Sequence, residues 1–259
     1  MRGTSRFHGS SRGGLAGFSR LATLGLAIAL IAALAQISAG PGRQLGYWDH
    51  NFGFKILEWG AYAGLVAASA SLIGLLFAWR GGRRRLVVTG LIGLVLGGSI
   101  AYFPWALLKA HRIPPPLYDI STDTVHPPSY VAGLELRQAT ARLPAEYPAN
   151  FAAQQRQAYP DIQPVMMNLP PDLAFERALR AARETSGWNI HAVVPQDGRI
   201  EVVAKTLWFG FEDDVVIRVM ATEGGSRIDI RSTGRIARRD GGANARRVQA
   251  YIKKLNAAG

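Results

Sequence analysis

Three long apolar stretches, separated by short polar ones, fill the first 108 residues. They cover residues 21–38, 56–79 and 86–108, and charged side chains are nearly absent from them. A helix needs about 20 residues to cross the ~30 Å hydrocarbon core of a bilayer. Backbone groups in lipid must be satisfied within the segment, so each stretch should be helical. The pattern therefore predicts three membrane-spanning helices.

After a linker at 109–116, the apolar pattern changes its period, which indicates a soluble domain at 117–259. Residues 171–186 show helical spacing, and four later segments alternate between apolar and polar residues. Such alternation with short turns predicts an antiparallel meander with one face buried and one in water. A last helix at 241–255 should begin at the capping residue Asp240. We expect an α+β domain of two layers, with both helices on the apolar face of the sheet. The four segments are residues 188–194, 199–207, 215–221 and 227–235.

The approach to this domain is rich in proline. Eleven of the fourteen prolines lie between Ile113 and Pro171. Proline removes a backbone donor and fixes φ, which excludes a long helix or a central strand there. Apolar residues recur along the same stretch, so we interpret 117–171 as an extended wrap over the core, with a short helix at Asn150–Ala158. A partly disordered tether is the alternative.

Several short motifs in this domain resemble one family. They are YDISTD at Tyr118–Asp123, Tyr159-Pro160, Gly187-Trp188, WFGFEDDVVIRV from Trp208, and S-x-x-R-x-x-x-x-D-x-x-x-N from Ser232 to Asn244. Together they are similar to the domain-of-unknown-function 1499 family over Leu117–Leu255. The resemblance implies a bacterial or plastid domain that is often membrane-anchored. It implies no particular activity.

Charge predicts how the chain crosses the membrane. The net charge is +12, and residues 1–109 carry eleven Lys and Arg against only Asp49 and Glu58. Arginines cluster in the tail at 1–20 and in the RGGRRR turn at 80–85. The positive-inside rule places both in the cytoplasm. Three crossings then put the C-terminal domain in the periplasm of a bacterial inner (plasma) membrane.

One alternative and one exclusion qualify this topology. Residues 1–39 also fit a cleavable signal peptide, with a basic start, an apolar run and small residues near Ser38 and Ala39. The C-terminal domain lies on the same side in either case. Because the basic surplus accompanies apolar stretches, it indicates membrane topology and argues against a nucleic-acid partner.

The candidate site residues are carboxylates, arginines and one amide. Arg231 and Arg235 share a sheet face and would suit an anionic ligand, although a face laced with ion pairs has the same pattern. The helix start at Asp240, near several arginines, would suit phosphate, unless Asp240 itself occupies the amides. Aspartates brought together by the wrap would suit acid–base work, although turn and capping roles are commoner. The predicted binding set is Asp119, Asp123, Asp214, Arg231, Arg235, Asp240 and Asn244.

No residue pattern assigns a reaction. The five histidines are scattered without metal-ligand spacing, and the chain contains no cysteine. We therefore predict no metal and no cofactor, and we leave catalytic residues unassigned. The run Trp208–Phe211 suits core packing, or contact with the bilayer or a partner.

These patterns lead to one hypothesis and two alternatives. We expect a non-enzymatic, membrane-anchored periplasmic domain that binds a ligand or an envelope partner. Its partners would be the lipid bilayer and an envelope protein or an anionic ligand. The alternatives are a hydrolase-like enzyme that uses Asp and Arg side chains, and a purely structural subunit of an envelope complex.

Overall fold

The computed structural model describes residues 17–257, apart from the side chain of His111. The predicted tail therefore lies mostly outside the described residues, as does the start of the signal-peptide alternative. The chain divides into two compact units, residues 1–108 and residues 109–259. Each unit is described by itself.

The first unit consists of three long apolar helices, which confirms that part of the predicted fold. They are α1 (Leu21–Gln44), α2 (His50–Arg80) and α3 (Arg84–Arg112), the last of which runs on into the second unit. Each of these three helices is long and apolar enough to cross a membrane. The helices exceed the apolar stretches because polar residues at their ends continue the turns. For example, Asp49 caps α2 by accepting the amide of Phe52 at 2.8 Å.

Glycines allow these helices to approach closely. A Cβ atom on Gly74 of α2 would lie 2.1 Å from the backbone nitrogen of Ala22 in α1. One on Gly97 of α3 would lie 2.7 Å from the backbone nitrogen of Ala68 in α2. Gly98, by contrast, has open space where its Cβ would be. Small residues therefore mark the faces that pack, as is usual in membrane bundles.

One buried polar side chain links all three helices. Gln36 of α1 is 5 % exposed, and its amide nitrogen donates to the carbonyls of Leu57 at 3.1 Å and Ile100 at 3.2 Å. These acceptors belong to α2 and α3. Because an amide without partners is costly in an apolar surrounding, these bonds help to fix how the helices pack.

The second unit is built on an antiparallel sheet. Its described residues form six strands, two more than predicted, in the order β1–β6–β5–β4–β3, with β2 also paired to β6. The strands are β1 (Asp119–Ser121), β2 (Val165–Met167), β3 (Trp188–Val194), β4 (Arg199–Lys205), β5 (Glu212–Thr222) and β6 (Gly225–Gly234). The helices are α4 (Leu134–Thr140), α5 (Phe151–Ala158), α6 (Pro171–Arg183) and α7 (Ala243–Ala257).

The two additional strands come from the proline-rich wrap. Both pair with β6, with β1 opposite residues 231–233 and β2 opposite residues 226–228. They cover the outer edge of β6, which would otherwise present unpaired backbone groups. The predicted helix at Asn150–Ala158 is present as α5.

Helices α6 and α7 cover one face of the sheet, as predicted. Their alanines and the ring of Tyr251 pack against Ile217 and Ile230 in a single apolar core. Val248 and Leu255 of α7 are fully buried there. The 3.6-residue spacing of apolar positions is what directs these helices onto the sheet.

The opposite face is not in water, which corrects the expectation from alternation. Asp214, Asp229, Arg231 and Arg235 on this face are each less than 5 % exposed. Residues of the wrap between β1 and α5 bond to them and shield them. Alternation therefore identified a polar face correctly but did not reveal its cover.

Candidate functional site

The centre of the covered polar face is an ion pair between Asp119 of β1 and Arg231 of β6. The Arg231 guanidinium donates from Nε to Oδ1 at 3.0 Å and from Nη2 to Oδ2 at 2.7 Å. Neither side chain is more than 3 % exposed. Such a two-point geometry satisfies both groups at once.

The wrap completes the surroundings of Arg231. Two of its three remaining guanidinium hydrogens go to the carbonyls of Pro128 at 3.0 Å and Ala145 at 2.6 Å. The rings of Tyr130 and Tyr147 lie 5.1 and 5.8 Å from its Cζ atom. All of these partners belong to the protein itself, so an anionic ligand would have to displace Asp119 to reach the guanidinium.

A second cluster surrounds Asp214 of β5. Arg235 donates from Nε to both carboxylate oxygens at 3.1 Å and from Nη2 to Oδ1 at 2.6 Å, and it also reaches Glu212 at 2.8 Å. Arg137 of α4 donates to Asp214 Oδ2 at 2.7 Å. The charges of these four side chains balance, and the three groups other than Glu212 are buried. The cluster is thus an internal ion network rather than an open pair of carboxylates.

Tyr130 joins the two clusters. Its hydroxyl lies within hydrogen-bond distance of two acceptors, the carbonyl of Asp214 at 3.0 Å and the Thr233 hydroxyl at 2.9 Å. The guanidinium carbons of Arg137 and Arg231 lie 5.6 and 5.1 Å from the centre of its ring. Burial raises the pKa of Tyr130, so the phenol stays protonated.

A third cluster lies further along β6. Asp229 is fully buried and pairs with Arg218 at 2.8 Å and Arg227 at 3.0 Å. The same two guanidinium groups reach Asp123 of the wrap, at 3.4 and 2.8 Å. Two arginines thus bridge two aspartates, and they tie the wrap to the sheet.

Asp123 also shapes its own turn. Its Oδ1 atom accepts the amides of Val125 at 3.0 Å and His126 at 2.8 Å. Burial alone would raise the pKa of Asp123, but these bonds and the nearby guanidinium groups outweigh it and lower the pKa below 3.8. A carboxylate with so many donors is held ionised, which is unsuitable for a general acid.

Asp240 and Asn244 lie apart from the clusters on the polar face. The Asp240 carboxylate accepts the amides of Gly242 and Asn244, each at 2.7 Å, and so caps α7. Gly241 and Gly242 have φ of +63° and +77°, which glycine adopts readily. The predicted capping role is confirmed, and Asp240 itself occupies the amides that a phosphate would need.

Asn244 connects the start of α7 to the sheet. Its side chain accepts from the Ser232 hydroxyl at 2.7 Å and donates to the carbonyl of Tyr118 at 3.0 Å. Arg247 bonds to the same amide oxygen and pairs with Asp213 at 2.7 Å. This arrangement accounts for the Ser232–Asn244 spacing noted in the sequence.

Burial affects the two central partners differently. Burial raises the pKa of Asp119, although the charge and hydrogen bonds of Arg231 oppose it. Burial would lower the pKa of Arg231, but the bonds to Asp119 outweigh it and raise the pKa. The carboxylate is the more completely desolvated of the two, at 0 % exposure. The pair therefore combines strong attraction with a large desolvation cost.

The structure also identifies buried residues that sequence reasoning missed. The Glu201 carboxylate accepts the amides of Val131, Ala132 and Gly133, at 2.9, 3.0 and 2.7 Å. Gln155 of α5 bonds both backbone groups of Ser121, donating to its carbonyl at 2.6 Å and accepting its amide at 3.0 Å. Gln155 stands in the proline-rich stretch, where no periodic signal shows which side chains are buried. Glu201 stands in the alternating strand β4, where alternation predicts a polar face but not the wrap that covers it.

The seven predicted binding residues thus fall into separate groups. The structure brings together Asp119, Asp214, Arg231 and Arg235, while Asp123 lies with Asp229, and Asp240 and Asn244 lie at α7. Among the described residues, no three His, Asp or Glu side chains are grouped as metal ligands would be. The chemistry that this arrangement performs is mutual neutralisation within the protein.

Comparison with known proteins gives one family match. The model of the family described as protein of unknown function (DUF1499) matches residues 119–255, which is more than half of the chain. A search of curated proteins found no match. The crystal structure of protein MLL2253 from Mesorhizobium loti is 16 % identical, covering 37 % of this chain and 92 % of that one, with a TM-score of 0.29.

Proposed function

The chain belongs to the DUF1499 family of proteins of unknown function, and on that premise we propose that it is a non-catalytic, membrane-anchored domain that binds an envelope protein. Its site of action would be the periplasmic side of a bacterial inner membrane. The proposal has two parts, the side of the membrane and the mode of action, and each is supported by a different observation.

The observation that carries the mode of action is that the candidate side chains are committed to one another. Asp119, Asp214 and Asp229 each pair with guanidinium groups at 2.6–2.8 Å, and all three are buried. A hydrolase would need a carboxylate that reaches its substrate. Groups that are shielded in this way support a rigid, non-catalytic module more than an active site.

The side of the membrane is supported by charge. The RGGRRR turn lies between α2 and α3, whereas the connection between α1 and α2, at 45–49, contains no Lys or Arg. By the positive-inside rule, the turn favours the cytoplasm. An odd number of crossings then favours the opposite side for the sheet domain.

Single cysteines provide a test, because the chain has none of its own. In the full chain, each of four exposed positions on the domain is changed to cysteine, one at a time. Spheroplasts that contain each variant are then treated with a membrane-impermeant maleimide. Arg84→Cys, at the first residue of α3 and within the RGGRRR run, is the matched control. We expect labelling on the domain and, without permeabilisation, none at position 84. The reverse pattern would overturn the periplasmic assignment. The domain positions are Val125, Met166, Leu173 and Val193, all exposed.

The same variants test for a partner. A benzophenone maleimide attached at each position is irradiated in spheroplasts, and adducts are resolved by gel and identified by mass spectrometry. We expect one protein to be captured from one face and not from the others. The same background at every position would contradict binding to a specific envelope protein.

A further inference from the structure

One end of the sheet gathers three connecting segments. The β4–β5 loop, Thr206–Phe211, starts beside the pair Lys205 and Glu212. The segment at 235–242 leaves β6 at this end, because Gly234 lies opposite Asp213. Residues 113–118 also arrive here, because Asp119 lies opposite Thr233. The topology therefore places all three segments side by side.

The β4–β5 loop is an ordered turn that presents Leu207. Thr206 closes the loop, with its amide donating to the Phe211 carbonyl and its hydroxyl accepting the Phe211 amide, both at 2.8 Å. The Phe209 ring lies 5.0 Å from that of Trp208 and 5.6 Å from that of Phe211. Phe209 is buried, whereas Leu207 is 96 % exposed. A packed aromatic base thus holds one large apolar side chain at the tip.

The segment after β6 adds positive charge. Arg238 and Arg239 are both exposed. Arg239 donates to the carbonyls of Arg112 at 3.2 Å and Pro114 at 3.0 Å, which belong to the stretch that leads into β1. Lys205, also exposed, borders the β4–β5 loop. Cations therefore lie at the same end of the sheet as an exposed apolar tip, the combination found on surfaces that lie in a membrane interface.

We propose that this end of the sheet is a lipid-binding surface, occupied by the anionic headgroups of the bilayer that the chain's own helices cross. Leu207 and the ring of Trp208 enter the interface between headgroups and acyl chains. Arg238 and Arg239 contact the lipid phosphates. Indole rings are favoured in that interface, and basic side chains are attracted to anionic lipids.

Chain connectivity supports the bilayer as the occupant. Six residues, 113–118, separate the last residue of α3 from β1. That connection spans about 25 Å at full extension. The end of the sheet where β1 begins is therefore tethered near the surface of the membrane, and a tether of this length makes weak contacts effective. The proposal depends on the helices and the sheet, and it does not require the envelope partner.

The test uses the full chain in nanodiscs. Leu207→Cys carries a bimane fluorophore, and lipids with brominated acyl chains serve as the quencher. Met166→Cys is the matched control, because it is exposed and lies opposite Arg227 at the start of β6, the far end of the sheet. In discs of phosphatidylglycerol and phosphatidylcholine we expect quenching at least about twofold greater at position 207 than at 166.

Two further arms separate lipid from other occupants. Arg238→Gln with Arg239→Gln should reduce quenching at position 207, as should discs of phosphatidylcholine alone. Equal quenching at positions 207 and 166 would overturn the proposal. Quenching at 207 that ignores both charge and lipid composition would overturn the role of anionic headgroups. A blue shift at 207 without bromine quenching would mean that protein covers the tip, which also overturns the proposal.

Discussion

Asp119 and Arg231 lie 112 residues apart in the sequence, and their side chains form a two-point ion pair. The pair joins β1 and β6, which are the first and last strands along the chain and neighbours in the sheet. The pair lies on a diagonal, because Arg231 is opposite Ser121 in the ladder. It therefore joins the wrap to the core at a position where both charges are desolvated. Removing either partner would leave the other one buried and uncompensated.

Replacing one member of this pair should be more damaging than replacing both. Arg231→Met leaves the Asp119 carboxylate buried without its guanidinium, which should lower the free energy of unfolding by about 3–5 kcal/mol. Adding Asp119→Asn should restore part of that loss, because the uncompensated charge disappears. Thermal unfolding of the full chain in detergent measures both effects.

An exposed pair provides the comparison for that experiment. Asp197 is paired with Arg199 at 2.9 Å, but its side chain is 48 % exposed. Asp197→Asn should therefore cost less than about 1 kcal/mol. Equal losses for Asp197→Asn and Arg231→Met would contradict a special role for the buried pair.

Acid should weaken the attachment of the wrap through Asp123. The pKa of this carboxyl is lowered in the folded protein, so the folded state binds its proton less readily than the unfolded state does. The stabilisation that it contributes is present above about pH 4 and is lost as pH falls through the folded pKa. Asp123→Asn lacks this pH-dependent stabilisation. The unfolding midpoints of the two proteins should converge on acidification from pH 5 to 3, and a constant difference would contradict the prediction.

Gln155 should be essential to the outer edge of β1. Its amide satisfies both backbone groups of Ser121, so Gln155→Leu leaves a buried N–H and a buried C=O without these partners. We expect a loss of about 2–4 kcal/mol and faster hydrogen exchange of the Ser121 amide. Gln154→Leu, one residue earlier and exposed, is the control. Similar losses in the two variants would show that leucine itself, rather than the missing amide, causes the effect.

In the first unit, glycine substitutions should separate packed from open positions. Gly74→Ala places a methyl group 2.1 Å from the backbone of Ala22, so α1 and α2 must move apart. Overpacking of this kind costs about 1–3 kcal/mol. Gly98→Ala meets open space and should be neutral or slightly stabilising, because alanine favours helix. Midpoints of thermal unfolding in detergent that do not rank in this order would contradict the helix packing.

Long periodic segments were predictable from the sequence, and short ones were not. Alternation located β3 to β6, and the 3.6-residue spacing located α6 and α7, because burial of one face imposes a period on each. The three-residue strands β1 and β2 lie between prolines and are too short to show a period. They form because β6 offers an unpaired edge, so they depend on a contact with a distant part of the chain and not on their own sequence.

The candidate site shows the same division. Asp240 was predictable as a cap, because an acidic residue at a helix start has a local reason to be there. The pairing of Asp119 with Arg231 was not, since no local pattern connects residues so distant. The contacts of Arg137 and Tyr130 with the ion pairs were not predictable, because both residues stand in the wrap, where neither alternation nor helical spacing indicates which side chains face inward.

Pairing of the wrap with β6 has a consequence for how the domain is completed during synthesis. The ribosome makes β1 and β2 well before β6, and both must wait for residues 226–233 before they can pair. Contacts over such separations close late and slowly. The nascent domain therefore passes through a stage in which Asp119 and Asp123 are ionised in solvent, and the arrival of the arginines of β6 ends that stage. Truncation before residue 226 would leave both β1 and β2 without the strand with which they pair.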